Sequence, residues 1–165
     1  MARKFYKKGG RKKPQEFDQK LIDLARVTRV VAGGRRFRFR ATLVIGDKKG
    51  RVGVGTAKGR DVSIAVEKAY AQAKKSVRSI TMDNSTIPHE VRVKFKSARI
   101  LLKPARKGTG IIAGGPVRAV VELSGIKDIV SKMLGSNNKM NNAQAALKAL
   151  TSLESARDVQ KRRGK

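Results

Sequence analysis

This chain has no cysteine, no tryptophan and a single histidine in 165 residues, and its 12 acidic residues face 40 lysines and arginines. Without cysteine there is neither a disulfide framework nor a thiolate metal site. His89 follows Pro88 and has no second histidine or cysteine to complete a metal site or a triad, so a loop or surface position suits it. The acids are scattered, and Asp18, Asp23, Asp47 and Asp61 fit turns and helix caps better than a general acid/base pair. No catalytic residue, metal ligand or cofactor site emerges. No apolar run approaches the ~20 residues that a membrane-spanning helix needs. Met1 to Lys13 holds seven basic residues with no apolar segment behind them, which does not read as a secretory leader. It is also too rich in lysine for an organellar import signal, and a cytosolic location is expected.

What the chain does have is positive charge. The formal net charge of +28 makes the surface repel itself unless a polyanion neutralises it. Nucleic acid is the commonest such partner; an anionic membrane surface is the weaker alternative. Hydrophobic residues make up 39% of the chain, enough for one core or two small ones.

The stretch from Gly33 to Gly59, GGRRFRFRATLVIGDKKGRVGVGTAKG, organises the rest. Phe37, Phe39, Ala41, Leu43 and Ile45 alternate with Arg36, Arg38, Arg40 and Thr42, which predicts a strand with one apolar and one cationic face. Gly46 to Gly50 supplies turn residues, and Arg51 to Ala57 reads as the returning strand. Gly53 and Gly55 share a face that lacks side chains and admits a ligand or another backbone. Upstream, Leu21, Leu24 and Val27 are spaced as in a short helix, so helix or turn is expected to about Asp23 and strand after it. Gly33-Gly34 then makes the tight turn.

Past the hairpin, Val62, Ala65, Val66, Ala69, Ala73, Val77 and Ile80 form one helical stripe, with Asp61 as its N-cap. Thr81 to Pro88 breaks the pattern and marks a boundary. Val91, Val93 and Phe95 alternate with Arg92, Lys94 and Lys96 as another strand with a basic face, and Ile100 and Leu102 continue as its hairpin partner. Pro116 opens a helix that Gly125 stops, with Val117, Val120 and Val121 inward. Ile126 to Leu134 reads as a buried strand and Asn138 to Leu153 as a final helix. The two termini, Met1 to about residue 20 and residues 155–165, read as basic tails without structure.

The glycine-rich loop from Gly108 to Gly115 has the look of a phosphate cradle. The lysine and hydroxyl residue of a P-loop are replaced by Pro116 and Val117, and Gly53-Val54-Gly55 lies in a hairpin rather than a dinucleotide fold. Three functions are therefore weighed: a structural RNA-binding protein, a free-standing RNA- or DNA-binding module, and a nucleotide-dependent enzyme.

The motifs GGRRFRFRATLVIGDKKGRVGVGTAKGRDV and GTGIIAGGPVRAVVELSGI occur in an order that resembles the family of the bacterial fifth protein of the small ribosomal subunit. The resemblance spans roughly Leu21 to Leu153. It implies an α+β fold: an N-terminal domain over residues 21–82, similar to double-stranded-RNA-binding domains, and a C-terminal β/α domain over residues 88–154 with a left-handed βαβ crossover. It further implies no enzymatic activity, a place in the cytoplasmic ribosome, binding to small-subunit rRNA, support of head against body, and a part in decoding accuracy. The implied neighbours are the fourth and eighth small-subunit proteins and the mRNA near the channel by which it enters. The loop Thr28 to Arg35 matches the family segment that reaches rRNA near the spectinomycin site, and Gly110 and Arg118 match the region facing the fourth protein. The expected rRNA-binding set is Arg29, Val30, Gly33, Gly34, Arg35, Arg36, Arg38, Arg40, Lys48, Lys49, Arg51, Gly53, Gly55 and Lys58, acting by phosphate neutralisation and close backbone approach.

Overall fold

The structure, a computed structural model, describes residues 16–164. The basic segment expected over residues 1–15 lies outside the described residues. Among the described residues, two four-stranded sheets and four helices make up an α+β fold. The first sheet runs β1 (Asp18–Val31), β2 (Gly34–Gly46), β3 (Arg51–Gly59) and β4 (Arg78–Ser79) in that spatial order, all antiparallel, with α1 (Val62–Lys75) between the last two. The second contains β5 (Val91–Phe95), β6 (Ala98–Pro104), β7 (Ile111–Ile112) and β8 (Ile129–Met133) in the order β5-β6-β8-β7. There α2 (Gly115–Ser124) carries the chain from β7 to its parallel neighbour β8. Helices α3 (Lys139–Thr151) and α4 (Ala156–Arg162) follow.

The glycine face of β3 explains how α1 sits so close. Cβ atoms built on Gly53 and Gly55 would fall 2.6 Å from the Ala73 carbonyl and 2.2 Å from the Ala69 carbonyl, and one on Gly59 would lie 2.5 Å from the Ala65 amide. The three alanines recur every four residues and are fully buried, so helix backbone rests almost directly on strand backbone. Gly53 and Gly55 are thus buried under a helix. The open face expected for RNA at these two positions is filled by the protein's own backbone.

The middle of the first sheet is buried on both sides. Ala41, Leu43 and Ile45 join Phe17 and the three alanines of α1 in one core. Their strand neighbours Val44, Val52 and Val54 point the other way, into a larger core with residues of α2, α3 and the second sheet. Thr42, expected on the cationic face, is fully buried and lies 3.3 Å from Thr56 Oγ1 through its own Oγ1. An apolar-against-cationic alternation therefore holds for only part of β2.

Other expectations shift in detail. The segment before Asp23 is strand, not helix: β1 starts at Asp18, and a register irregularity between Leu21 and Asp23 slips its pairing by one residue. That bulge changes the phase of alternation and puts Leu21 and Leu24, three residues apart, on one face, a spacing that mimics a helix, whereas Val27 lies on the other face. The expected N-terminal tail consequently ends before Phe17, which is buried. Helix α1 stops at Lys75, so Val77 and Ile80 lie beyond it; Asp61 is the N-cap by backbone geometry without a capping side-chain bond. The buried strand expected over 126–134 is shorter, with Val130 and Leu134 exposed. The C-terminal segment expected to lack structure from residue 155 is the short helix α4; Ser155 caps it, and none of its residues is buried. Its sequence carries no apolar stripe, in keeping with a helix that buries no residue. The hairpin β5–β6 and the Gly125 stop agree with expectation, and the final helix expected over Asn138 to Leu153 is α3, Lys139–Thr151, capped by the Asn138 side chain.

Replacing Gly55 by Val should disrupt this packing despite valine's liking for strands. Overpacking of this kind costs about 1–3 kcal/mol, and at roughly 2–4 °C per kcal/mol for a chain of this size the melting temperature should fall by about 2–12 °C. A thermal melt followed by circular dichroism checks this; an unchanged midpoint would mean α1 yields without loss.

Candidate nucleic-acid interface

Strand pairing builds the site. β1 and β2 pair from Asp18–Gly46 to Val31–Gly34, whereas β3 pairs β2 only from Phe39 to Gly46. Residues 27–38 therefore form a two-stranded arm beyond the third strand, closed at Ala32–Gly33, where Gly33 takes a φ of +84°. A β-carbon strains such a backbone, and glycine does not. The expected turn thus sits one residue earlier than Gly33-Gly34. Val30 at the tip is 74% exposed, and nothing lies within 4 Å of a Cβ built on Gly33 or Gly34.

Register sorts the cations onto faces. Arg29 pairs opposite Arg36, Val27 opposite Arg38, and Lys58 opposite Arg40. One face of the arm and of the adjoining sheet thereby gathers Arg29, Arg36, Arg38, Arg40 and Lys58. A concavity of about 320 Å³ opens there, lined by Val27, Thr28, Arg29, Val31, Arg36, Arg38 and Lys58. Like charges directly across a ladder destabilise it. The Arg29–Arg36 pair and its neighbours are tolerable on a solvated arm and become favourable once phosphate lies between them.

The arm's other face is not purely apolar. Arg35, Val30, Thr28 and Arg26 share it with Phe37, which is 46% exposed with the Arg26 guanidinium 3.8 Å above its ring centroid. This stacked pair holds Arg26 flat and cationic at the surface. Arg26 was missed in the sequence because it lay in a segment read as passing from helix to strand; its two-residue spacing from Thr28 and Val30 was the available signal.

Three of the cations expected to bind RNA are engaged within the protein. Arg40 is half-buried and faces Asp23 at 3.7 Å. Lys48 pairs with Asp18 at 2.7 Å. Arg51 donates through Nε to Asp47 at 2.7 Å and lies over the Phe17 ring. Burial opposes ionisation of Asp47, yet the Arg51 side chain and the Lys49 and Arg51 amides outweigh it and hold that carboxyl below its ordinary range. These three cations serve the turn and the sheet first. Lys49 remains exposed in the turn.

The turn itself docks on the end of α2. The Lys48 amide donates to the Leu123 carbonyl at 3.0 Å and the Gly50 amide to the Ser124 carbonyl at 2.9 Å, satisfying carbonyls that a helix end leaves free. Gly46 and Gly125 permit it: a Cβ on either would fall about 2.1–2.2 Å from the opposing backbone.

The glycine loop before α2 is occupied by the protein's own anion. Buried Asp128 accepts from the Gly108 and Gly110 amides at 3.0 and 2.9 Å through Oδ1, and the Gly110 bond chiefly, then one from Ser85, holds its carboxyl below the ordinary range. The amides a nucleotide phosphate would need are already used. Gly110 takes a φ of +76° and Arg118 is exposed in the first turn of α2. Glu122, one turn further on, is taken by Lys20 at 2.6 Å, which chiefly lowers its pKa. Arg118 thus has no ion-pair partner among the described residues. His89 is exposed, with Nδ1 2.9 Å from the Glu90 carbonyl.

Comparison with known proteins gives concordant matches. A family described as ribosomal protein S5, N-terminal domain, matches residues 17–81, and one described as ribosomal protein S5, C-terminal domain, matches residues 93–163. Small ribosomal subunit protein uS5 of Campylobacter jejuni is 52% identical over 140 residues, covering 85% of this chain and 95% of that protein. Its counterpart in Treponema pallidum is 50% identical over 155 residues, covering 94% and 90% respectively.

Asp128→Ala should free the loop without unfolding the molecule. Hydrogen exchange at the Gly108 and Gly110 amides should speed up while exchange in α3 does not. A carboxylate with a depressed folded pKa stabilises above its unfolded value and loses that contribution as pH falls through the folded one. Wild-type protection at these amides should therefore persist at neutral pH and be lost only at acid pH below about 4. Equal protection in the variant would show that the loop holds its shape without Asp128.

Proposed function

The chain belongs to the ribosomal protein S5 family, and from that premise we propose that its two-stranded arm is the part that grips small-subunit rRNA. As a family member it is a structural constituent of the small ribosomal subunit, associates with rRNA in the cytoplasmic ribosome, and is not an enzyme. The nucleotide-enzyme and free-standing-module readings are set aside accordingly. The observation that carries the arm proposal is the gathering of Arg29, Arg36 and Arg38 on a ribbon that runs beyond the third strand, with Lys58 of that strand at its base, around one exposed concavity. Guanidinium groups bind phosphate oxygens in pairs, so this face recognises backbone rather than base sequence. Gly33 and Gly34, bare at the tip, let the arm approach RNA closely, and Val30 supplies an apolar contact there.

The chain divides near residues 82–88 into the RNA-gripping unit and a second unit that meets proteins. Gly110 and Arg118 stand where the family faces the fourth small-subunit protein. Arg118 supports this: a cation at the positive end of a helix dipole, its nearby acid already taken, needs an anion from outside. Through that contact the protein tunes decoding accuracy, and with the eighth protein and mRNA nearby it helps hold head against body.

Changing Arg29, Arg36 and Arg38 together to Gln should flatten the salt dependence of rRNA binding. The log–log slope should fall by ~0.7–0.9 for each phosphate that is no longer neutralised, hence by about two to three in all, with the melting temperature equal to or above that of wild type, because all three side chains are exposed and the opposed Arg29–Arg36 pair is removed. An unaltered slope would show that the arm is merely solvated. Separately, Gly110→Asp or Arg118→Leu should raise stop-codon readthrough in a reporter strain while rRNA affinity stays within a factor of two. Failure of rRNA binding with normal readthrough would move this loop to the RNA surface.

A further inference from the structure

Segments that are far apart in the chain meet at one carboxylate. Among the described residues Asp128 is the one buried acid, 4% exposed, and no lysine or arginine forms an ion pair with it. Its side chain accepts from the Gly108 and Gly110 amides and from the Ser85 hydroxyl instead. Backbone bonds complete the junction. The Lys127 and Asp128 amides donate to the Ser85 carbonyl at 2.9 and 3.0 Å, and the Ile129 amide donates to the Gly110 carbonyl at 3.1 Å. Ser85 itself lies in a tight turn closed by Asp83 and Thr86, and the Thr86 hydroxyl accepts from the Ala105 amide at 3.2 Å. The segment between the two units is thereby fastened to the glycine loop.

Crowding does not shape this loop. Nothing lies within 4 Å of a Cβ built on Gly108 or Gly110, yet both take a positive φ, +91° and +76°. Glycine suits these positions by its conformational freedom alone, and that freedom leaves the loop's shape to whatever its amides are bonded to. Here both amides converge on a single oxygen, Oδ1 of Asp128. The junction also borders the exposed cation of α2. Ile111 follows Gly110, Lys127 precedes Asp128, and both line, with Arg118 and Glu122, a concavity of about 480 Å³. What the junction uses of residue 128 is the place of its oxygens, since no cation is bonded to it.

We propose that Asp128 is a positioning residue for the protein contact made through Gly110 and Arg118: it ties the glycine loop to the turn at residues 83–86 and so fixes the surface offered to the neighbouring protein. This rests on the reading above that Gly110 and Arg118 face the fourth small-subunit protein. Asp128, being buried, touches no partner itself and acts through the loop.

The test uses strains whose only copy of this chain carries Asp128→Ala, Asp128→Glu, Asp128→Asn or, as reference, Arg118→Leu. Stop-codon readthrough is measured in each, with rRNA affinity and hydrogen exchange measured on the purified full-length chain. Asparagine keeps an acceptor oxygen in place without the charge, glutamate keeps the charge but moves the oxygens by one methylene, and alanine keeps neither. Asp128→Ala and Asp128→Glu should raise readthrough toward the Arg118→Leu level. Their Gly108 and Gly110 amides should exchange about tenfold faster, as expected for loss of a hydrogen bond to a charged acceptor. Asp128→Asn should stay within a factor of two of wild type in both readouts, and rRNA affinity should be unchanged in all. Gly55→Val, destabilised under α1 and outside this junction, should leave readthrough at the wild-type level. Wild-type readthrough in both Asp128→Ala and Asp128→Glu would overturn the proposal. So would an equal rise in Asp128→Asn, which would make the charge rather than the oxygen position the active feature. A rise in Gly55→Val that matches Asp128→Ala would assign the effect to lost stability and overturn it too. If Arg118→Leu also reads as wild type, the reading of this surface as a protein contact fails; if only the Asp128 variants do, this proposal fails alone.

Discussion

Burial of the β2–β3 ladder on both faces is the constraint from which the rest of the molecule follows. On one side α1 rests on the glycines of β3, and on the other Val44, Val52 and Val54 enter the core shared with α2, α3 and the second sheet. The part of this ladder from Ala41 to Gly46 has no room for arginine, and Arg40 opposite Lys58 marks the end at which charge begins. The charges are consequently displaced to the stretch of β1 and β2 that outruns β3. The division between scaffold and RNA surface is therefore a matter of strand length: where a third strand and two covering layers exist, the sheet is core, and where they end, it is interface.

Three of the few acids tie separate elements together. Asp18 takes Lys48, Glu122 takes Lys20, and Asp23 takes both Arg40 and Lys139, which joins the first sheet to α3. Exposed ion pairs of this kind each stabilise by only about 0–1 kcal/mol. They neutralise Lys20, Lys48 and Lys139 where the elements meet, while Arg29, Arg36 and Arg38 of the arm have no ion-pair partner among the described residues. Backbone bonds from the 47–50 turn to the end of α2 do the mechanical joining.

How much of this was legible depends on the range of the interaction concerned. The β5–β6 hairpin, the helix opened by Pro116 and closed by Gly125, and the arginine strand were all readable, because alternation and turn chemistry are local. The β1 segment was misread because a bulge shifts its phase by one residue, and a bulge is set by pairing with a distant strand. Helix α4 leaves no signal in the sequence because a helix that buries no residue needs no amphipathic stripe. Gly53 and Gly55 were read correctly as places of close approach but assigned to the wrong neighbour.

The sequence by itself determined the class of partner, since a charge of +28 and an arginine row need no fold to demand a polyanion. It also determined most element identities, along with the absence of catalytic groupings. Only the tertiary structure decided which cations are free. Arg38 and Arg40 are two residues apart on one strand and chemically identical, yet one is exposed and the other is half-buried against Asp23. It likewise decided that the glycines of β3 receive a helix and that the amides of Gly108 and Gly110 already hold a carboxylate. The physical reason is common to all three: availability depends on what the chain brings back to a residue from far along its length, and local pattern carries no record of that.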